Sequence, residues 1–229
     1  MRIQLVVLDM AGTTIRDDDA VNDCLRIALE DHSVVTTRDE INQVMGIAKP
    51  VAIRTLLEKR RSGEPVADER VKAVHSSFHH RMLRHYRTSP GVAPMPHAMA
   101  ALAQLKEAGV RVALDTGFSR AIVDAILERL GWRECGLLDA TVASDEVTQG
   151  RPHPALLFKA MELTRVRAAE AVAKVGDTPA DLGEGMAAGA GLVIGVTNGS
   201  HTAHELVRCP HTHLIPDLRW LPELVLKHV

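Results

Sequence analysis

Short apolar runs alternate along the chain with longer stretches whose apolar residues recur every three or four positions. The apolar runs are "QLVVLDM", "RVALDTG", "ATVAS", "AVAKVGD" and "GLVIGVTN", with a weaker last one, "THLIPD". Each has strand length, is apolar throughout rather than at every second position, and ends in small or acidic residues. That is the pattern of parallel strands covered on both faces. Helical spacing between them predicts helices over roughly 97–108, 119–130, 154–163 and 179–188. The alternation predicts an α/β fold, a Rossmann-like doubly wound parallel sheet. In such sheets a ligand lies beyond the carboxyl ends of the strands, where Asp9, Thr116, Ser144 and Asp177 fall.

Residues 16–90 break this rhythm. They hold no convincing strand, but helical patterns over 20–31, 50–61 and 67–87, between a polar "RDDD" and a Pro/Gly-rich "RTSPGVAPMP". The expected organisation is a core of residues 1–15 and 91–229, with a helical cap of residues 16–90 inserted after the first strand. "RDDD" reads most simply as a solvated linker.

Composition narrows the partners. A net charge of −2 and an aromatic content of 3% provide neither a basic field nor stacking platforms, so neither nucleic acid nor a membrane is expected. The three cysteines, Cys24, Cys135 and Cys209, are scattered and suit free thiols in a reducing compartment. The N-terminus reads as a strand rather than a leader, and no apolar segment reaches membrane-spanning length. The expectation is a cytoplasmic protein acting on a small molecule.

The strand ends carry the chemistry. Asp9 is followed by Gly12 and Thr13, a turn whose backbone N–H groups can face an anion. Asp177 and Asp181 follow another strand in "VGDTPADLGEG", and acids from two strand ends make the hard-oxygen pocket that Mg²⁺ favours. Thr116-Gly117 offers a hydroxyl and an N–H to a phosphoryl oxygen, and Arg151 in "QGRPHP" offers a fixed positive charge to the same group. Other signals are weaker. His75, His79 and His80 read as a partly packed helix face, and Cys209, His211 and His213 as a surface loop. "GEGMAAGAG" sits inside and after a helix rather than opening one, which excludes a dinucleotide loop.

Taken in order, "DMAGT", "TG", "GRPHP" and "GDTPADL" resemble the four motifs of the haloacid dehalogenase superfamily over nearly the whole chain. The resemblance implies an enzyme with Asp9 as nucleophile forming an aspartyl-phosphate. It implies Thr116 as phosphate binder, and Mg²⁺ held by Asp9, Asp177 and the Ala11 carbonyl, with Asp181 as a supporting partner. It also implies a homodimer formed through the cap.

Two departures refine it. Most phosphatases of the superfamily carry Asp at the position of Ala11 and Lys at that of Arg151. The combination found here resembles the phosphonatase-like hydrolases, which cleave a carbon–phosphorus bond through a Schiff base on a cap lysine. "MGIAKPVAIRTLL" matches their pattern through Met45, Gly46 and Lys49. Physical chemistry agrees with that pairing. An ester expels an alkoxide that a neighbouring acid must protonate, whereas a phosphonate expels a carbanion that an iminium on lysine accepts. Pro50 suits the first turn of a helix and sets Lys49 at its positive end, which favours the free amine. One position differs: the related enzymes place a His three residues after the lysine, and this chain has Ala52. The alternatives are a phosphatase of small phosphate esters, such as phosphoglycolate or sugar phosphates, and a non-catalytic metabolite-binding regulator.

Overall fold

The structure is a computed structural model that describes residues 2–60 and 65–228. Six strands form one sheet: β1 (Leu5–Asp9), β2 (Arg111–Thr116), β3 (Ala140–Ala143), β4 (Val172–Gly176), β5 (Leu192–Val196) and β6 (His213–Ile215). All pair in parallel, in the order β3-β2-β1-β4-β5-β6, so the chain reverses direction across the sheet at β1. The expected α/β fold is present, and all six expected strands form.

Alternation along β1 feeds two faces. Val6 and Leu8 join a cluster with α5 (Ala98–Glu107), α6 (Arg120–Leu130) and α10 (Leu221–Leu226). Leu5 and Val7 join a second cluster, with α7 (Ala155–Thr164) and the end of α8 (Pro179–Ala188). Both faces of the central strands are therefore dry, each buried large aliphatic side chain contributing roughly 1.5–3 kcal/mol. A short α9 (Ala203–Leu206) precedes the edge strand β6.

Between β1 and β2 the chain forms α1 (Ala20–Glu30), α2 (Arg38–Asn42), α3 (Lys49–Arg60) and α4 (Asp68–Thr88). The sequence pattern misses α2, whose five residues are too few to show a period. Its start is nonetheless marked by a capping box, with Thr37 accepting from the Glu40 N–H and the Glu40 carboxylate accepting from that of Thr37. The α3 pattern runs to residue 61, which lies outside the described residues. The "RDDD" run is not uniformly solvated: Asp18 and Asp19 are outside, but Asp17 turns in and accepts the Val21 N–H at 3.0 Å at the start of α1.

This helical segment rests directly on the sheet's carboxyl edge. Gly46 has φ +79°, and a Cβ there would lie 2.2 Å from Thr178 Oγ1. A Cβ on Gly117 would lie 2.7 Å from the Ile47 carbonyl oxygen. On the far side α4 packs along α6, and His79 Nε2 lies 3.0 Å from Ser119 Oγ. Loop 46–48 thus meets the loop after β2 backbone to backbone, and Gly46 lies directly against the Thr178 side chain after β4. Gly46→Ala adds both a clash and a strained backbone. It is expected to cost about 1–3 kcal/mol in urea unfolding and to lower activity, by spacing loop 46–48 from Thr178.

Candidate active site

Strand register assembles the site. Asp9, the last residue of β1, pairs with Asp115, the last but one of β2, and β4 ends one residue before Asp177. The Asp177 carboxylate is fixed on both oxygens. Thr13 Oγ1 donates to Oδ1 at 2.8 Å, while the Ser200 N–H and Oγ donate to Oδ2 at 2.7 and 2.8 Å. Asp181 sits in the first turn of α8, which Thr178 caps by accepting the Asp181 N–H, while Thr178 Oγ1 donates to Asp181 Oδ2 at 2.6 Å.

Asp9, Asp177 and Asp181 bring one carboxylate oxygen each within 4.8 Å of one another, and all three residues are buried. Asp181, expected as a supporting partner, stands as close as the other two. Its Oδ1 is buried without a hydrogen bond, although Arg151 Nη1 is 2.8 Å away and Lys174 Nζ 3.3 Å. Burial, then the Asp181 charge, raises the carboxyl of Asp9 well above the usual carboxylate range, with Arg151 opposing. Burial and Asp181 raise Asp177 likewise. Three clustered buried carboxylates, two of them raised by burial and by the charge of Asp181, and one with an oxygen that accepts no hydrogen bond, fit a hard divalent cation.

Arg151 lies beneath the cluster rather than facing the cavity. Its Nη1 donates to Asp9 Oδ1 at 2.6 Å, its Nε to Glu184 Oε2 at 3.0 Å, and its Nη2 to Asp115. Lys174 reaches Asp115 at 2.5 Å and Glu184 at 2.9 Å. The positive charge expected to serve a phosphoryl group is therefore committed to acids, because burial makes each of those contacts stronger than a solvated one. The turn after β1 differs from expectation in the same way. The Gly12 N–H donates to the Ile15 carbonyl at 2.8 Å and that of Thr13 to Met10 at 3.3 Å, so neither faces an anion. Gly12 serves geometry instead: it has φ +93°, and a Cβ would lie 2.3 Å from Asp177 Oδ2. Ser144, another strand-end candidate, braces the wall by donating to the Gly117 and Phe118 carbonyls, each at 3.0 Å.

A tight cavity of about 20 Å³ gathers the remaining candidates: Asp9, Ala11, Met45, Gly46, Lys49, Thr116 and Gly117. Val21, Phe118, Thr178 and Ser200 complete it. Thr116 Oγ1 accepts the Phe118 N–H at 3.2 Å, which leaves its own hydrogen free to donate. Lys49 opens α3, is 4% exposed, and holds Nζ 5.8 Å from the Phe118 ring centroid. Burial lowers its amine to about 8, against the opposing pull of Asp9 and Asp17. Asp17 is itself raised to about 6, chiefly by burial.

With this geometry in view, comparison with known proteins is informative. The family model of haloacid dehalogenase-like hydrolases matches residues 3–189. The chain belongs to this hydrolase family. It is 32% identical over 211 residues to the phosphonoacetaldehyde hydrolase of Lysinibacillus sphaericus, covering 85% of this chain and 76% of that one. Among solved structures, a phosphonoacetaldehyde hydrolase-like protein from Oleispira antarctica superposes with a TM-score of 0.87 at 20% identity, covering 100% of this chain and 93% of that one. A predicted phosphoglycolate phosphatase from Haemophilus somnus gives 0.80 at 17% identity, covering 98% of each chain. These two share the family's fold.

In this hydrolase, sequence reasoning misses Asp115, Lys174, Glu184 and Ser200. Lys174 carried a signal, since a lysine inside the buried run "VAKVG" demands an acidic partner. Ser200 lies in a loop and carried none. Ser200→Ala, which removes one of the three donors holding Asp177, is expected to weaken binding of a divalent cation at this cluster about tenfold, titrated calorimetrically with Mg²⁺ as the probe, with the fold intact by circular dichroism.

Proposed function

We propose that this hydrolase cleaves the carbon–phosphorus bond of phosphonoacetaldehyde or a related 2-oxoalkylphosphonate. The observation that carries the reading is Lys49: a buried amine shifted to about 8, lining the same cavity as Asp9 beside an alanine at position 11. The curated relative named a phosphonoacetaldehyde hydrolase adds support. Helices α1–α4 act as the cap that brings the lysine to the core.

In the proposed reaction Lys49, as free amine, condenses with the substrate carbonyl, takes up one proton through Asp17 and releases water, giving an iminium. A carboxylate oxygen of Asp9 attacks phosphorus while the Thr116 hydroxyl and Gly117 N–H hold its oxygens. The C–P bond breaks, and its electron pair moves into the iminium to form an enamine and an aspartyl-phosphate. A proton added at the enamine carbon and a water added to the imine release the aldehyde and Lys49. A second water splits the aspartyl-phosphate into phosphate and the Asp9 carboxylate.

Mg²⁺, held by Asp9, Asp177 and the Ala11 carbonyl with Asp181 beside them, would neutralise charge on the phosphoryl oxygens. Arg151 favours the ionised form of Asp9 against burial and the neighbouring acids, and aims its carboxylate. Ala52 is wholly buried on α3 and carries no proton. Among the charges acting on Lys49, from Asp9, Asp17 and Arg151, Asp17 is the one left to move protons.

One observation favours a second reading. At neutral pH an amine near 8 is still mostly ammonium, and a buried ammonium beside Thr116 also suits an anionic phosphate ester.

Borohydride trapping separates the two readings. With phosphonoacetaldehyde, mass spectrometry is expected to find a reduced adduct on Lys49 and none in Lys49→Arg. The trapping rate should climb as pH rises toward about 8 and level off above it, because only the unprotonated amine adds to the carbonyl. Turnover of phosphate esters without phosphate release from the phosphonate, and without an adduct, would decide for the phosphatase.

A further inference from the structure

We infer that Asp115 and Glu184 are positioning residues for the nucleophile, acting through the guanidinium of Arg151. The inference rests on the proposed role of Asp9 as attacking group, but not on which substrate it attacks.

A guanidinium is a rigid planar fork, so fixing two of its edges fixes the third. Nε donates to Glu184 Oε2 at 3.0 Å and Nη2 donates to Asp115, which together leave Nη1 aimed at Asp9 Oδ1 at 2.6 Å. The two acids come from elements other than Arg151's own loop. Asp115 is on β2, next to Asp9 in register, and Glu184 is in mid-α8. Glu184 is pinned in turn, because its Oε1 accepts the Leu157 N–H at 3.1 Å from α7.

Two acids around one arginine would by themselves absorb its charge. Lys174 prevents this by contacting Asp115 at 2.5 Å and Glu184 at 2.9 Å from β4. All these side chains are buried, so no solvent competes for them. Arg151 is thereby left with charge for Asp9 and for Asp181, whose Oδ1 lies 2.8 Å from the same Nη1. A lysine at position 151 has a single ammonium and cannot meet three directions at once.

The test uses the full-length protein with Mg²⁺ and beryllium trifluoride, which mimics a phosphoryl group on an aspartate and is read by fluorine NMR. Phosphate release from phosphonoacetaldehyde is measured in parallel. In Asp115→Asn, Glu184→Gln and Arg151→Lys, adduct affinity and kcat are each expected to fall about tenfold or more, with KM changed less than about threefold. In an Arg151→Ala background, Asp115→Asn and Glu184→Gln should add less than about twofold, since both act through that side chain.

A merely structural network would lower the melting temperature in both backgrounds while the folded protein kept its adduct affinity. That result, or fully additive effects, overturns the inference. If Asp115→Asn does not fold, the paired Asp115→Asn/Lys174→Met variant, which removes one charge of each sign, carries the comparison. Asp9→Asn tests the reading underneath: an adduct in that variant means the nucleophile assignment has failed. An inert Asp9→Asn beside Asp115 and Glu184 variants that match wild type means that only the positioning role has.

Discussion

The carboxyl edge of this sheet depends on one buried guanidinium. Arg151 lies within ion-pair distance of Asp9, Asp115, Asp181 and Glu184, all of them removed from water. Burying that many acids is tolerable only with cations among them, and removing one partner of such a buried pair typically costs about 3–5 kcal/mol. The effect on ionisation is selective. Burial raises Asp115 as it does Asp9, but Arg151 and Lys174 outweigh it and hold Asp115 below its usual range. Asp9 stays raised, because burial and the charges of Asp181 and Asp177 together outweigh Arg151. The same arginine thus contacts one carboxyl held below its usual range and one raised above it.

The parallel sheet makes this arrangement possible. Its strands end at one level, so side chains far apart in sequence meet there: Asp9 of β1, Asp115 and Thr116 of β2, and Asp177 just past β4. The helical segment contributes a cavity-lining amine, Lys49, together with Val21 and Met45, and the loop after β2 adds Phe118 to this partly apolar wall. The core therefore supplies a charged floor and α3 a drier ceiling, and the chemistry proposed for the site runs between them.

Most of the fold was legible because fully apolar strands and amphipathic helices leave different periods in the sequence, and α8 matches its expected bounds at both ends. The site was legible where function follows position. Asp9, Thr116 and Asp177 end or directly follow strands, which is why sequence alone brought them together. It was not legible where function follows side-chain direction. Asp115 hides as one more strand residue before a strand end, and Glu184 as a helix residue between glycines. Asp17 is one of three adjacent acids, and nothing in the sequence says which of them turns inward. Thr13 was read as part of an anion-facing turn, whereas its hydroxyl holds Asp177; that choice depends on a rotamer rather than on spacing.

The backbone contact of loop 46–48 with the sheet imposes an order of events. A cavity of about 20 Å³ admits roughly one water. Under the proposed reaction a phosphonate therefore needs the wall to open, and loop 46–48 carries part of that wall. Lifting it wets Lys49, and because burial is the main reason its amine is near 8, the lysine returns toward an inert ammonium while the door is open. It regains its nucleophilicity only after the loop has settled back over a bound molecule. In the proposed reaction shape and basicity would thereby be interlocked, and the movement that admits the substrate would also protect the lysine from stray aldehydes.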